Sequence, residues 1–134
     1  MWLVGPTTND MTSKRLLLLD IHPGQQSSNP GGFCSSGGQF PVFFSASTPL
    51  AGEELWVSNG SVAGTSMLLD ILPGVRPSSP RYLTWFKGAL YFRADDGVHG
   101  HELWRSEGTA ASTRLLLDIF KGLPDGKSQW SLHM

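Results

Sequence analysis

Short apolar clusters alternate with polar turn residues along most of this chain. LYFRA (Leu90–Ala94) is brief and aromatic, and the turn cluster DDGVHG follows it. ELWRS (Glu102–Ser106) runs into EGTAAST, and RLLLDI (Arg114–Ile119) comes next. RYLTWF (Arg81–Phe86) precedes KGALYF. Runs of this length, bounded by Gly, Asp, Ser and Asn, are strand signals. No window carries a capped apolar stripe of period 3.6 over three turns, so no helix is predicted.

The same pattern is written more than once. Leu55–Ile71 and Leu103–Ile119 agree at ten of seventeen positions, 48 residues apart. DIHPGQQSSNP (Asp20–Pro30) matches DILPGVRPSSP (Asp70–Pro80), and VFFSA (Val42–Ala46) matches LYFRA, with small insertions near Gln39–Val42. A looser copy ends at LLLLDI, with Asp20 and Ile21 where Asp70 and Ile71 stand later. Self-similarity at this period marks propellers, solenoids or arrays. The expected architecture is all-β: β-propeller-like blades of four short antiparallel strands, about two and a half to three of them, in one repeat domain over residues 1–134. Units of roughly 1–41, 42–89 and 90–134 divide it. A blade has two apolar faces that only neighbouring blades can cover.

The motif residues acquire structural jobs in such a blade. Leu55 and Leu103 are apolar strand positions. Trp56 and Trp104 are large enough to fill the space between sheets. Gly60 and Gly108 permit positive φ in the hairpin that follows. The hydroxyls of Ser58, Ser106, Thr65 and Thr113 can bond loop backbone. Asp70 and Asp118 end apolar strands and are placed to accept N–H groups of the next turn.

These blocks resemble the ELWxxDGT repeat, a tandem repeat of large bacterial proteins, in its fuller form LYFxAxDGxxGxELWxSDGTxxGTxLLxDIxPGxxxSxPxxLT. Residues 90–119 carry it best and residues 54–84 nearly as well; in the unit at 42–89 STPLAGEELW replaces DDGVHGHELW, and Asn59 and Glu107 replace the usual Asp. The resemblance implies a β-propeller-like scaffold, a secreted or cell-surface setting and no shared catalytic set. A closed propeller needs roughly four to eight blades. The expectation is therefore a fragment of a larger array, closure by association of copies, or an open stack. Unpartnered faces carrying Leu68, Leu90, Phe92, Leu103 and Leu116, with no charged cap where Trp2, Leu3 and Val4 sit, predict a chain that is only marginally stable or self-associates face to face.

Composition narrows the partners. Hydrophobic residues make up 40% and charged residues 16%, with sixteen Gly and nine Pro. The net charge is −1 with no long charged run, which argues against a nucleic-acid groove or a polybasic membrane patch. RLLLLDI (Arg15–Ile21) is too short to span a bilayer, so no membrane insertion is expected. The N-terminal residues lack the basic and apolar regions of a signal peptide. Cys34 stands alone, which excludes an internal disulfide and a thiolate cluster.

Candidate chemistry is sparse. His99 and His101, at i and i+2 on a strand, could hold a transition metal with Asp95, Asp96 or Glu102. The competing reading of the same stretch is an Asx turn entering a strand. Glu54 and Glu102 repeat before each Leu–Trp and could form an acid and base pair, but a repeated residue is first explained by the repeat. No nucleophile elbow or phosphate loop occurs. No cofactor or metal is expected. The predicted function is a non-enzymatic scaffold that binds protein or carbohydrate, with Tyr82, Trp85 and Trp130 available to stack on a sugar if exposed. The alternative is a hydrolase or metal-dependent enzyme using the turn acids and the His-x-His pair.

Overall fold

A computed structural model describes residues 17–38 and 40–117, together with the backbone of residues 120–122 and 128–130. Asp118, Trp2, Leu3, Val4 and the side chain of Trp130 lie outside the described residues.

The described chain is all-β, without a helix. Strands β1 (Gly31–Ser35), β2 (Val42–Thr48), β3 (Gly52–Ser58) and β4 (Thr65–Leu69) form one antiparallel sheet in that order. Strands β5 (Arg81–Phe86), β6 (Ala89–Asp95), β7 (His101–Ser106) and β8 (Arg114–Leu117) form a second sheet of the same order. A small pair, β9 (Phe120–Gly122) and β10 (Ser128–Trp130), follows. Each sheet takes its first strand from one sequence unit and the other three from the next. The reason is the loop at 70–80, whose Pro and Ser residues break pairing and deliver the chain to a new sheet.

The registers of the two sheets are copies. Phe44 pairs with Trp56 in the first, and Phe92 pairs with Trp104 in the second. Residues 43–46 are buried on both faces of β2, because one face meets the second sheet and the other is covered by apolar side chains outside that sheet. On the shared side, Phe43, Leu55 and Leu68 of the first sheet and Ile71 of the loop join Leu90, Phe92, Ala94 and Trp104 of the second in one core. The Phe43 ring stacks on Trp85 with centroids 5.8 Å apart. On the far side, Phe44, Ala46 and Trp56 make a second cluster, covered by Leu19, Ile21 and Met67. Leu68, Leu90 and Phe92 thus lie inside the molecule, whereas Leu116 and Leu117 stay exposed and Leu103 half-buried. A buried apolar side chain of this size contributes about 1.5–3 kcal/mol, so the shared cluster is the main force joining the sheets.

The loop at 70–80 adds polar attachment to both sheets. Ser78 N–H donates to the Glu53 carbonyl at 3.0 Å, and the Ser78 carbonyl accepts from Asp95 N–H at 2.9 Å. The matching residue Ser28 accepts from Ser47 N–H at 2.8 Å before the first sheet. The Arg81–Glu53 ion pair (2.9 Å) also crosses between sheets; it is partly exposed, and such pairs contribute at most about 1 kcal/mol. The first strand of each sheet carries a bulge, between Gly31 and Cys34 and between Arg81 and Thr84. Gly32 and Tyr82 fill the left-handed position there, at φ 64° and 60°. The glycine adopts it freely and the tyrosine under strain.

Candidate functional site

Glu54 and Glu102, paired by the repeat, are both buried. Around Glu54 the geometry is that of a clamp. Its Oε2 accepts from Ile71 N–H (2.9 Å) and from the Ser78 hydroxyl (2.6 Å). Its Oε1 accepts from Ser78 N–H (3.2 Å) and Leu72 N–H (3.4 Å). One side chain in β3 thereby holds both ends of the loop that links the sheets. The turn N–H groups assigned above to Asp70 go instead to Glu54, because Glu54 projects into the buried side of the turn and Asp70 is exposed. Burial pushes the Glu54 carboxyl up to about 7, against the hydrogen bonds from Ser78, Ile71 and Leu72 that favour its charge. The protonated form also fits. An Oε2–H can donate to the Ser78 hydroxyl, which then donates to the Glu53 carbonyl 3.3 Å away.

The hairpin after β3 and the hairpin after β7 use the same hydroxyls. Ser58 Oγ accepts from Gly60 N–H at 3.0 Å and meets Thr65 Oγ1 at 2.7 Å; Thr65 donates to the Ser61 carbonyl at 2.6 Å. Ser106 Oγ accepts from Gly108 N–H at 3.0 Å and from Thr113 Oγ1 at 2.8 Å. These hydroxyls are occupied in closing turns.

Among the candidate metal ligands, Asp96 and His99 meet. Asp96 Oδ1 accepts from Val98 N–H (2.9 Å) and His99 N–H (2.8 Å), and Oδ2 lies 2.7 Å from His99 Nδ1. Partial burial raises the Asp96 pKa, but the His99 N–H, the His99 imidazole and the Val98 N–H outweigh it and hold it below the usual value. Asp95 Oδ1 accepts from Gly97 N–H at 2.7 Å. The pair therefore builds an Asx turn at the tip of the β6–β7 hairpin. His101 is exposed and Glu102 buried, because strand neighbours point to opposite faces and here only one face is covered. Among the described residues no three His, Cys, Asp or Glu side chains are grouped to hold a metal ion. Of the aromatics considered for sugar stacking, Trp85 is half-buried on Phe43, and Tyr82 is 74% exposed with the Arg93 guanidinium 5.2 Å from its ring centre.

A cavity of about 270 Å³ opens on the far face of the first sheet. Ile21, Phe33, Val42, Phe44, Ser58 and Gly60 are among its walls. The repeat supplies a matching place on the second sheet, at Ile71, Leu83, Leu90, Phe92, Ser106 and Gly108. There the space is filled. Phe43 is fully buried in that cluster, and a Cβ at Gly108 would stand 3.7 Å from its ring tip. Over Gly60 the corresponding approach is made by Phe40, whose ring would meet a Cβ there at 2.8 Å. Phe40 belongs to the insertion at 39–42 and is 46% exposed, so it closes one edge of the socket and leaves the rest open. The sequence points to none of this, since a cavity is a relation between strands and has no residue signature of its own. No protein-family model, curated protein or solved structure matches the chain.

Proposed function

We propose that this chain is a non-enzymatic repeat scaffold of the ELWxxDGT type, with propeller-like packing of successive sheets, that binds a protein through its open socket. The observation that carries the reading is the contrast between the two sheets. The same set of positions encloses a buried aromatic side chain on one sheet and an open apolar cavity on the other. A socket of this shape suits an aromatic or aliphatic side chain presented by another polypeptide. A sugar would need hydrogen-bonding groups beside the rings. The two hydroxyls in the wall, Ser58 and Thr65, are already engaged in the hairpin. Glu54 and the repeated Ser and Thr residues are engaged likewise in loops, which favours a scaffold over an acid–base site.

An NMR titration of the isotope-labelled chain tests this. An acetylated, amidated pentapeptide with a central Phe is expected to shift the amide signals of Phe33, Phe44 and Ser58–Gly60. A β-linked glucose oligosaccharide is expected to leave them in place. Shifts at the socket with the oligosaccharide and none with the peptide would contradict the protein-binding reading.

A further inference from the structure

The second sheet presents, on its own outer face, the residue that the socket of the first sheet fits. Tyr91 stands in β6 where Phe43 stands in β2, 48 residues earlier. The register confirms the match, because Phe43 pairs with Val57 and Tyr91 pairs with Arg105. Phe43 lies on the side of the first sheet that packs against the second. Its counterpart therefore lies on the side of the second sheet turned away from the first. The surround is repeated in part: Arg105, paired with Glu107, stands where Val57 stands, but an apolar neighbour is kept. Leu116 takes the position of Leu68, yet it is 41% exposed where Leu68 is 8% exposed. Phe86 meets the Tyr91 ring edge-on at 6.4 Å and supports it from the neighbouring strand.

Resting on the protein-binding reading above, we infer that the occupant of the socket is Tyr91 of a second copy of this chain. The outer face of one copy's second sheet then covers the far face of the next copy's first sheet. This contact extends the one already present within the chain, where Phe43 enters over Gly108, except that the incoming ring sits beside Phe40, which already covers Gly60. The association is head to tail. Each copy offers a socket on one face and a ring on the other, so assemblies grow until a ring closes or remain open-ended. A symmetric face-to-face dimer would bury two sockets or two rings together and leave the complementary pair unused.

Sedimentation equilibrium on the full chain and two variants tests the inference. Tyr91→Ala removes the ring and keeps the socket. Phe33→Glu charges the socket rim at a residue that is 64% exposed, and it keeps the ring. The wild-type chain is expected to associate with rising concentration. Each variant is expected to weaken association by about thirtyfold or more, the effect of losing a central aromatic contact. Circular dichroism melts should show both variants folded. A mixture of the two variants should form a one-to-one dimer and nothing larger, because only one socket and one ring remain between them. A wild-type chain that stays monomeric throughout, or association unchanged in Tyr91→Ala, would overturn the inference. So would a mixture that behaves as two separate monomers. If Tyr91→Ala still binds the Phe pentapeptide while the wild type is monomeric, self-association fails and the protein-binding reading stands. If neither occurs, both fail.

Discussion

Trp104→Ala is expected to destabilise the chain by about 3–5 kcal/mol, the range for emptying a large aromatic site in a core. Trp104 is only 7% exposed, belongs to the cluster shared by both sheets, and lies against Phe92 with ring centroids 6.5 Å apart. Its removal opens space where the sheets meet, and neither sheet can collapse inward without disturbing the other. Trp104→Phe should behave differently. Among the described residues the indole N–H of Trp104 is buried without an acceptor, as is that of Trp56. Phenylalanine keeps most of the contact and deletes an unpartnered donor, so a loss of at most about 1.5 kcal/mol is expected. Urea unfolding of both variants checks the pair. A Trp104→Ala loss below about 0.5 kcal/mol, the usual surface range, would show that the residue does not fill the junction.

Replacing Glu54 is expected to have a comparable effect by a different route. Glu54→Leu leaves the Ile71 and Leu72 N–H groups without their acceptor in a buried turn. An orphaned buried donor costs about 1–3 kcal/mol, so the loss should reach roughly 2–5 kcal/mol. Ser78 N–H retains the Glu53 carbonyl, which keeps the estimate from rising further. Glu54→Gln keeps one acceptor oxygen and should lose less. The clamp also carries a pH dependence. The folded carboxyl sits at about 7 against an ordinary 4.5, so the folded chain holds this proton more tightly than the unfolded chain. The resulting stabilisation is whole below about 4.5 and is lost as the pH climbs through about 7. Urea midpoints of the wild type should therefore fall between pH 5 and pH 8, relative to those of Glu54→Gln, which has no carboxyl to titrate. Parallel profiles for the two proteins would remove Glu54 as the source.

The strands and their hairpins were legible because their signals are local. Alternation, Gly60 and Gly108, and the Ser–Thr pairs act within a dozen residues, and each sits in the structure where the repeat places it. Trp104 was legible as a filler between sheets because it is large and repeated. The role of Glu54 was not, since its partners Ile71, Leu72 and Ser78 lie 17 to 24 residues away across a loop. Asp70 sits beside that turn in sequence and so drew the assignment. The open socket was hidden for a related reason. Phe43 and Phe44 are adjacent apolar residues, and alternation assigns them to opposite faces without saying which face meets the second sheet. Phe40 adds a ring at Gly60 from an insertion that the repeat does not contain.

Native-state hydrogen exchange at Ile71, Ser78 and Asp95 tests most directly whether the repeated carboxylate and the loop it holds join two sheets into one unit. The Ile71 and Ser78 amides are bonded to Glu54, Ser78 also to the Glu53 carbonyl, and the Asp95 amide to the Ser78 carbonyl. If the loop opens only when both sheets unfold, these three amides should exchange with the same opening free energy as those of Phe44 and Phe92 in the sheet centres. Fast exchange of the loop amides, or separate opening free energies for Phe44 and Phe92, would show two sheets that merely touch and would contradict the account.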